Sequence, residues 1–115
     1  MSDTSISLYR VDRFNVPEHA RDAFLERLVV IRDFLQGQPG CLYNRIAEAR
    51  REDGSLSMMT IVEWRDRKAM DTARGAAKAF YEKNGFDPAQ FMAALGIEPD
   101  FGLYADIPAV QPVTA

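Results

Sequence analysis

The junction at Trp64 constrains the fold of this chain more than any other sequence feature. Residues 55–65 alternate between two sets of side chains with the two-residue period of a β-strand, and an alanine-rich segment with helical spacing follows. Asp66 stands between them and is a residue type that caps helix N-termini. The chain is therefore predicted to pass from strand to helix beside its single tryptophan, with the Trp64 side of the strand facing the helices.

The residues before this junction predict a strand, a helix and a second strand. Residues 6–14 alternate as a strand, Pro17 suits the first turn of a helix, and apolar residues then recur at intervals of three and four. A glycine- and proline-containing segment at 37–40 ends this helix. A second strand over residues 41–52 stops at Asp53-Gly54, a dipeptide typical of tight hairpin turns, so the second and third strands are expected to be antiparallel neighbours.

The residues after the junction predict two helices and a last strand. The alanine-rich helix has an apolar stripe that continues to about Lys83, and Asn84-Gly85 ends it. Asp87-Pro88 combines a cap with a first-turn proline and predicts a short helix that stops at Gly96. A final strand is predicted over residues 101–107.

This order predicts an α+β fold, a ferredoxin-like βαββαβ half-barrel with a four-stranded antiparallel sheet and the helices on one face. The domain is assigned to residues 6–107, between a flexible N-terminus (1–5) and a flexible tail (108–115). The uncovered face of the sheet is expected to be apolar. Pairing two such faces across a two-fold axis predicts a homodimer that forms a dimeric α/β barrel. The residues assigned to this face are Tyr9, Val11, Leu42, Ile46, Met59 and Ile61.

Composition narrows the class of protein further. A chain of 115 residues is expected to form one domain, and a net charge of -3 argues against a nucleic-acid partner. No apolar run approaches the roughly 20 residues of a membrane span, and the N-terminus lacks the pattern of a signal peptide, so a cytoplasmic location and no membrane partner are expected. With only Cys41 and His19 to offer, the chain is not expected to hold a four-ligand zinc site.

Four motifs resemble the antibiotic biosynthesis monooxygenase family of dimeric α+β barrels. They are Phe14-Asn15-Val16-Pro17, Gln38-Pro39-Gly40, Glu63-Trp64 and the alanine-rich helix that follows. The resemblance implies oxidation of a small aromatic or quinol-type substrate by O₂ without a metal, flavin or other cofactor. A haem-degrading branch carries a histidine ligand on the helix after the tryptophan, whereas this chain has Ala73-Arg74-Gly75 there, which argues against that chemistry.

The same resemblance suggests a set of site residues. Its quinone-forming branch has an asparagine before the tryptophan on the same strand, and Thr60 stands at the corresponding place in this chain. Trp64, Thr60 and Arg74 are therefore the candidate catalytic residues. The candidate substrate-binding residues are Asn44, Met58, Phe80 and Tyr81.

Two other functions remain open at this stage. None of these site residues is an obvious strong base, which favours a non-catalytic, small-ligand-binding or stress-associated homodimer of the same fold. An effector-binding regulatory module is the third alternative, although no helix-turn-helix pattern accompanies the domain.

Overall fold

The computed structural model describes residues 6–111 and contains four strands and three α-helices. In chain order these are β1 (Leu8–Val16), α1 (Arg21–Gln36), β2 (Cys41–Arg50), β3 (Leu56–Trp64), α2 (Arg67–Lys83), α3 (Pro88–Leu95) and β4 (Glu98–Ala105), with 3₁₀ turns at Glu18–Ala20 and Pro108–Val110. The strands form one antiparallel sheet in the order β2-β3-β1-β4. The predicted ferredoxin-like α+β fold is confirmed.

The strand-to-helix junction has the local structure that its residues predict. Asp66 caps α2, since its carboxylate accepts a hydrogen bond from the Ala69 backbone N–H at 2.8 Å. Gly40 lies against the first turn of α2 with a φ of 86°, and a Cβ at that position would come within 2.5 Å of the Ala69 Cβ. Only glycine combines this backbone angle with such a close approach. Trp64 is thereby held in a buried cluster with Leu8, Val62, Ala69, Met70 and Ala73.

The bounds of strands β1 and β4 differ most from the sequence prediction. Strand β1 continues to Val16, which is fully buried and pairs with Leu56, so α1 begins only after Pro17 and a 3₁₀ turn. Strand β4 begins at Glu98, three residues before its predicted start, and includes Pro99. Because β4 is an edge strand, the missing N–H of a proline is tolerated there.

The connection between β2 and β3 is a hairpin, as predicted, but it is longer than a two-residue turn. The last paired residues are Arg50 and Leu56, and the five residues between them form the loop. Gly54 adopts a φ of 87°, and the Asp53 carboxylate accepts a hydrogen bond from the Ser55 backbone N–H at 2.9 Å. The Asp53 side chain thus stabilises the loop through a hydrogen bond. The two-residue alternation of the strands does not predict such a contact.

A β-bulge at the start of β2 changes which of its residues face the helices. Cys41 pairs with Trp64, but the register then shifts so that Tyr43 pairs with Glu63 and Leu42 is the extra residue. Assigning Ile46 to the uncovered face of the sheet was therefore wrong. Ile46 pairs with Thr60 and packs against the core on the helix side. A bulge inverts the two-residue alternation for the rest of its strand.

The residues of β1 and β3 that were assigned to the uncovered face lie there, together with the charged side chains of Arg13 and Glu63. Tyr9 and Val11 of β1 lie beside Glu63 and Ile61 of β3, and Met59 lies on the same side. Leu42 is 56% exposed at the bulge. We call the surface formed by Tyr9, Val11, Met59 and Ile61 the outer face.

The ends of the chain are described only in part. Predicted tail residues 108–110 form a 3₁₀ turn, whereas residues 112–115 and the predicted flexible N-terminus, 1–5, lie outside the described residues. Within residues 6–111, no helix has both the length and the apolar character needed to cross a membrane.

Candidate functional site

A cavity of about 790 Å³ lies between the helix-facing side of the sheet and the three helices. Most of its wall is apolar, and aromatic rings contribute from β1, β3 and all three helices. Phe86, before α3, and Phe101 of β4 also line it, so the rings are Phe14, Phe24, Trp64, Phe80, Tyr81, Phe86, Phe91 and Phe101. A volume of this size is within the range that holds small organic ligands, about 300–1,000 Å³.

The cavity brings together six of the seven residues proposed from sequence. Those lining it are Trp64, Thr60, Arg74, Asn44, Phe80 and Tyr81. Met58 does not line it, since its side chain is only 1% exposed and packs in the core with Val16 and Leu56. Met58 shares the helix-facing side of β3 with Thr60 and Trp64, but neighbouring core residues bury it and separate it from the cavity.

Asn44 is the buried polar residue of the β2 wall. Its side-chain nitrogen donates a hydrogen bond to the backbone carbonyl of Arg32 in α1 at 2.9 Å. The bulge after Cys41 places Asn44 on the helix side, opposite Val62 of β3. Asn44 therefore links the sheet to α1 at the edge of the cavity.

The sequence interpretation missed an ion pair on the cavity floor. Arg10 and Asp12 project from the helix-facing side of β1, and both line the cavity. Arg10 Nη2 donates to Asp12 Oδ1 at 3.1 Å, with 27% of the arginine side chain and 18% of the aspartate side chain exposed. Both residues have the same alternation phase as Leu8 and Phe14, and this was the available signal.

The ion pair lies close to the predicted site. In the sheet register Asp12 is directly opposite Thr60 on one side and Phe101 on the other, and Arg10 is opposite Val62. Arg10 also lies over the Phe101 ring, with its guanidinium carbon 5.8 Å from the ring centroid. Thr60, Arg10 and Asp12 thus form one polar patch on an otherwise apolar floor.

Burial perturbs this polar patch, although Asp12 also accepts a hydrogen bond from the Gly102 backbone N–H. Desolvation raises the pKa of the Asp12 carboxyl above its ordinary value, and the Arg10 guanidinium opposes that shift. Arg10 Nε is buried and has no hydrogen-bond partner among residues 6–111. An unpaired buried donor costs roughly 1–3 kcal/mol, so the fold holds the Arg10 side chain here at an energetic cost.

An aromatic cluster forms the cavity wall near α3. Arg27 of α1 stacks over Phe86 at 4.1 Å, and Phe86 lies 5.6 Å from Tyr81. Burial raises the pKa of the Tyr81 phenol, against the opposing effect of Arg27. Tyr81 therefore keeps its proton at neutral pH and supplies a hydroxyl rather than a negative charge.

His19 and Cys41 lie outside this arrangement. His19 is exposed in the 3₁₀ turn before α1, and neither residue lines the cavity. Desolvation raises the pKa of the Cys41 thiol, which keeps it protonated and poorly nucleophilic. Within residues 6–111, no cluster of three or more His, Cys, Asp or Glu side chains is arranged to hold a metal ion.

The chain is similar to one characterised family and to several solved structures. The family model described as antibiotic biosynthesis monooxygenase matches residues 7–81. No curated protein matches the chain. A putative monooxygenase from Shewanella loihica PV-4 aligns with a TM-score of 0.67 and 21% identity, over 91% of this chain and 98% of its own.

Two further solved structures share the fold. A variant of SnoaB, a cofactor-independent oxygenase from Streptomyces nogalater, aligns with a TM-score of 0.65 and 25% identity, over 88% of this chain and 93% of its own. A dimeric ferredoxin-like protein from an uncultured marine organism aligns with a TM-score of 0.64 and 12% identity, over 94% of this chain and 99% of its own.

Proposed function

Because the chain belongs to the antibiotic biosynthesis monooxygenase family, we propose that it is a monooxygenase that oxidises a small aromatic or quinol-type substrate with O₂ and without a bound cofactor. The single observation that carries the proposal is the aromatic-walled cavity with a polar patch on its floor. The similarity to SnoaB, itself a cofactor-independent oxygenase, supports the absence of a cofactor.

Oxidation without a cofactor requires the substrate to supply the electrons. Converting a ring methylene to a carbonyl removes four electrons from the substrate, and O₂ takes up all four as one oxygen atom enters the product and the other leaves as water. An electron-rich anion of the substrate starts this reaction more readily than the neutral form. The protein must therefore exclude water, orient the ring and favour loss of a proton.

Residues that line the cavity can orient a ring and favour its anion. Trp64 and Phe80 provide flat apolar surfaces for a ring, and Thr60 places a hydroxyl within the polar patch. Arg74 projects from α2 into the same space and favours an anionic ligand. We assign Trp64 to ring positioning and Thr60 and Arg74 to contacts with the substrate oxygen.

Oxygen uptake by the purified protein tests the proposal. With a panel of hydroxynaphthalenes, anthrones and hydroquinones, we expect one O₂ consumed per product and one ¹⁸O atom incorporated from ¹⁸O₂. Trp64→Phe and Arg74→Ala should each lower kcat/KM about tenfold, which is about 1.4 kcal/mol of transition-state stabilisation. Arg67→Ala removes an exposed arginine from the same helix outside the cavity and should leave the rate unchanged.

Two results would contradict the proposal. One is that no member of the panel is consumed by the wild-type protein although it binds in the cavity, which would indicate a ligand-binding protein instead. The other is that Trp64→Phe and Arg74→Ala match Arg67→Ala in rate, which would remove the site assignment.

We also propose that the protein is a homodimer through the outer face. Val11, Met59 and Ile61 form an apolar surface that is only partly covered in the single chain. The dimeric ferredoxin-like protein from the marine organism supports this arrangement. Light scattering at micromolar concentration should give a dimer mass, and Met59→Asp should give a folded monomer. A monomeric wild-type protein would overturn the proposal.

A further inference from the structure

The ion pair on the cavity floor has a role to which neither the family resemblance nor the structural comparisons point. On the premise of the oxygenase function above, we propose that Asp12 and Arg10 are the proton-transfer pair of the cavity. Asp12 removes the proton from a phenol or enol substrate, and Arg10 holds the anion that results.

The position of the pair favours this role over a purely structural one. Both side chains come from the middle of the central strand β1 and line the cavity, although each is mostly buried. The hydrogen bonds between them run from Arg10 Nη2 to the Asp12 carboxylate. Arg10 lines the cavity with 27% of its side chain exposed, so its guanidinium can donate to a ligand there as well as to Asp12.

The step consists of one proton transfer, from the substrate to Asp12, and one change of ion-pair partner, by Arg10. The substrate O–H bond breaks, its electron pair stays on the substrate oxygen, and a new O–H bond forms on Asp12. Neutral Asp12 then attracts Arg10 less strongly, and the guanidinium pairs with the new oxyanion. The total charge of the three groups is unchanged, so the transfer adds no uncompensated charge to the cavity.

Desolvation makes Asp12 a better base than an exposed aspartate. Its raised pKa narrows the gap to the pKa of a phenol, about 10, which lowers the cost of the transfer. Other titratable side chains line the same cavity from the helices, and most of them are cationic. They are Arg27 and Arg32 on α1 and Asp71, Arg74, Lys78 and Tyr81 on α2. This excess of positive charge favours the anion in a protein whose net charge is -3.

The other candidate bases fit less well. Tyr81 stays protonated at neutral pH because burial raises its pKa, and Asp71 is exposed on α2. His19 does not line the cavity. Among the cavity-lining residues described, Asp12 is the half-buried carboxylate and Asp71 the exposed one.

A binding experiment tests the pair without requiring turnover. The probe is 6-cyano-2-naphthol, whose ionisation changes its absorption spectrum, titrated with pH in complex with each protein. Arg10→Gln should raise the pKa of the bound probe by at least one unit, a tenfold loss of preference for the anion. Asp12→Asn should leave that pKa unchanged or lower it, because the competing carboxylate is gone.

Two further variants guard against effects on folding. The double variant Arg10→Gln/Asp12→Asn removes both charges together, so neither is left alone, and should raise the probe pKa as Arg10→Gln does. Asp22→Asn makes the same chemical change in an exposed pair with Arg21, where Asp22 is 94% exposed. The pKa of the bound probe should be the same in this variant as in the wild type. Equal shifts of the probe pKa in Arg10→Gln and Asp12→Asn, or no shift in Arg10→Gln and the double variant, would overturn the proposal.

Turnover separates the base from the anion holder. Asp12→Asn should lower kcat at neutral pH by about 10²–10⁴-fold, the usual contribution of a general base. The rate of this variant should then rise with pH in step with ionisation of the substrate itself, because a pre-formed anion needs no base. A rate that falls without such recovery would refute the role of Asp12. If the wild type shows no oxygenation, the oxygenase function fails, while the binding experiment still decides the anion site.

Discussion

Strand β1 contributes an arginine to an ion pair on each face of the sheet, and the two pairs differ mainly in their surroundings. Arg10 and Asp12 are in contact at 3.1 Å on the helix side, with 27% and 18% of their side chains exposed. Arg13 and Asp100 are in contact at 3.4 Å on the outer face, with 58% and 72% exposed. The same two residue types therefore face an apolar cavity on one side of the strand and, in the single chain, solvent on the other.

This difference determines what each pair contributes. Exposed ion pairs contribute little, because water screens the attraction and ordering the side chains costs entropy. Arg10 and Asp12 have lost much of their hydration, so each depends on the other to compensate its charge. Removing one of them therefore destabilises the charged form of the other. A buried pair of this kind is poorly suited to adding stability and well suited to moving a proton.

The largest contrast between the two faces is expected at adjacent methionines. Met58→Ala should lower the free energy of unfolding by about 3 kcal/mol, because it opens a cavity in the core, where Met58 is 1% exposed. Met59→Ala removes the same atoms on the outer face and should act mainly on dimer dissociation. Urea denaturation at several protein concentrations checks this.

The dependence on concentration separates the two methionine effects. The loss caused by Met58→Ala should be the same at every protein concentration, whereas that of Met59→Ala should grow as dilution dissociates the dimer. Equal losses of unfolding free energy for the two variants at every concentration would mean that the outer face is as closely packed as the core. That result would contradict the expected contrast.

The two arginines should differ by a smaller amount. Arg10→Met leaves Asp12 desolvated without its partner and should lower the free energy of unfolding by about 2 kcal/mol. Arg13→Met makes the same change on the outer face and should have no measurable effect on the stability of the monomer. Urea denaturation at protein concentrations low enough to dissociate the dimer keeps both measurements on the monomer, without a new charge at position 59 opposite Arg13. A smaller loss for Arg10→Met than for Arg13→Met would contradict the contrast.

The smallest contrast is expected in the pH dependence of stability. The folded-state pKa of Asp12 is raised by desolvation, so its contribution to stability is present at acid pH and is lost as pH rises through that value. The pKa of Asp66 is lowered, chiefly by the Ala69 N–H that it caps, so its contribution is lost as pH falls. Melting temperatures measured from about pH 3 to 7 should therefore give opposite slopes for the differences between wild type and Asp12→Asn and between wild type and Asp66→Asn. Slopes of the same sign would contradict this assignment.

Local patterns were sufficient to predict most of the fold. The alternation around Trp64, the Asp66 cap and the Asp87-Pro88 start each depend on residues within one turn or one strand, and the structure confirms the elements they predict. Boundaries were less accurate where pairing with another strand decides them. Val16 and Pro99 lie in strands because β3 and β1 supply their partners.

The candidate site was predictable only in part. The family motifs led to Trp64, Thr60 and Arg74, and the cavity contains all three. The motifs carried no information on Arg10 and Asp12, which look like ordinary polar positions in an alternating strand. Their importance depends on burial, and burial depends on how closely the helices cover that part of the sheet.

The sequence by itself determined the order of strands and helices, the caps that begin α2 and α3, and which residues of β1 and β3 share a face. These properties follow from local backbone preferences and from the fixed two-residue period of a strand. Only the tertiary structure decided that a bulge turns Asn44 and Ile46 toward the helices and that a cavity opens above Arg10 and Asp12. Both depend on packing between segments far apart in the chain, because the space left between a sheet and its helices is set by all of their side chains together.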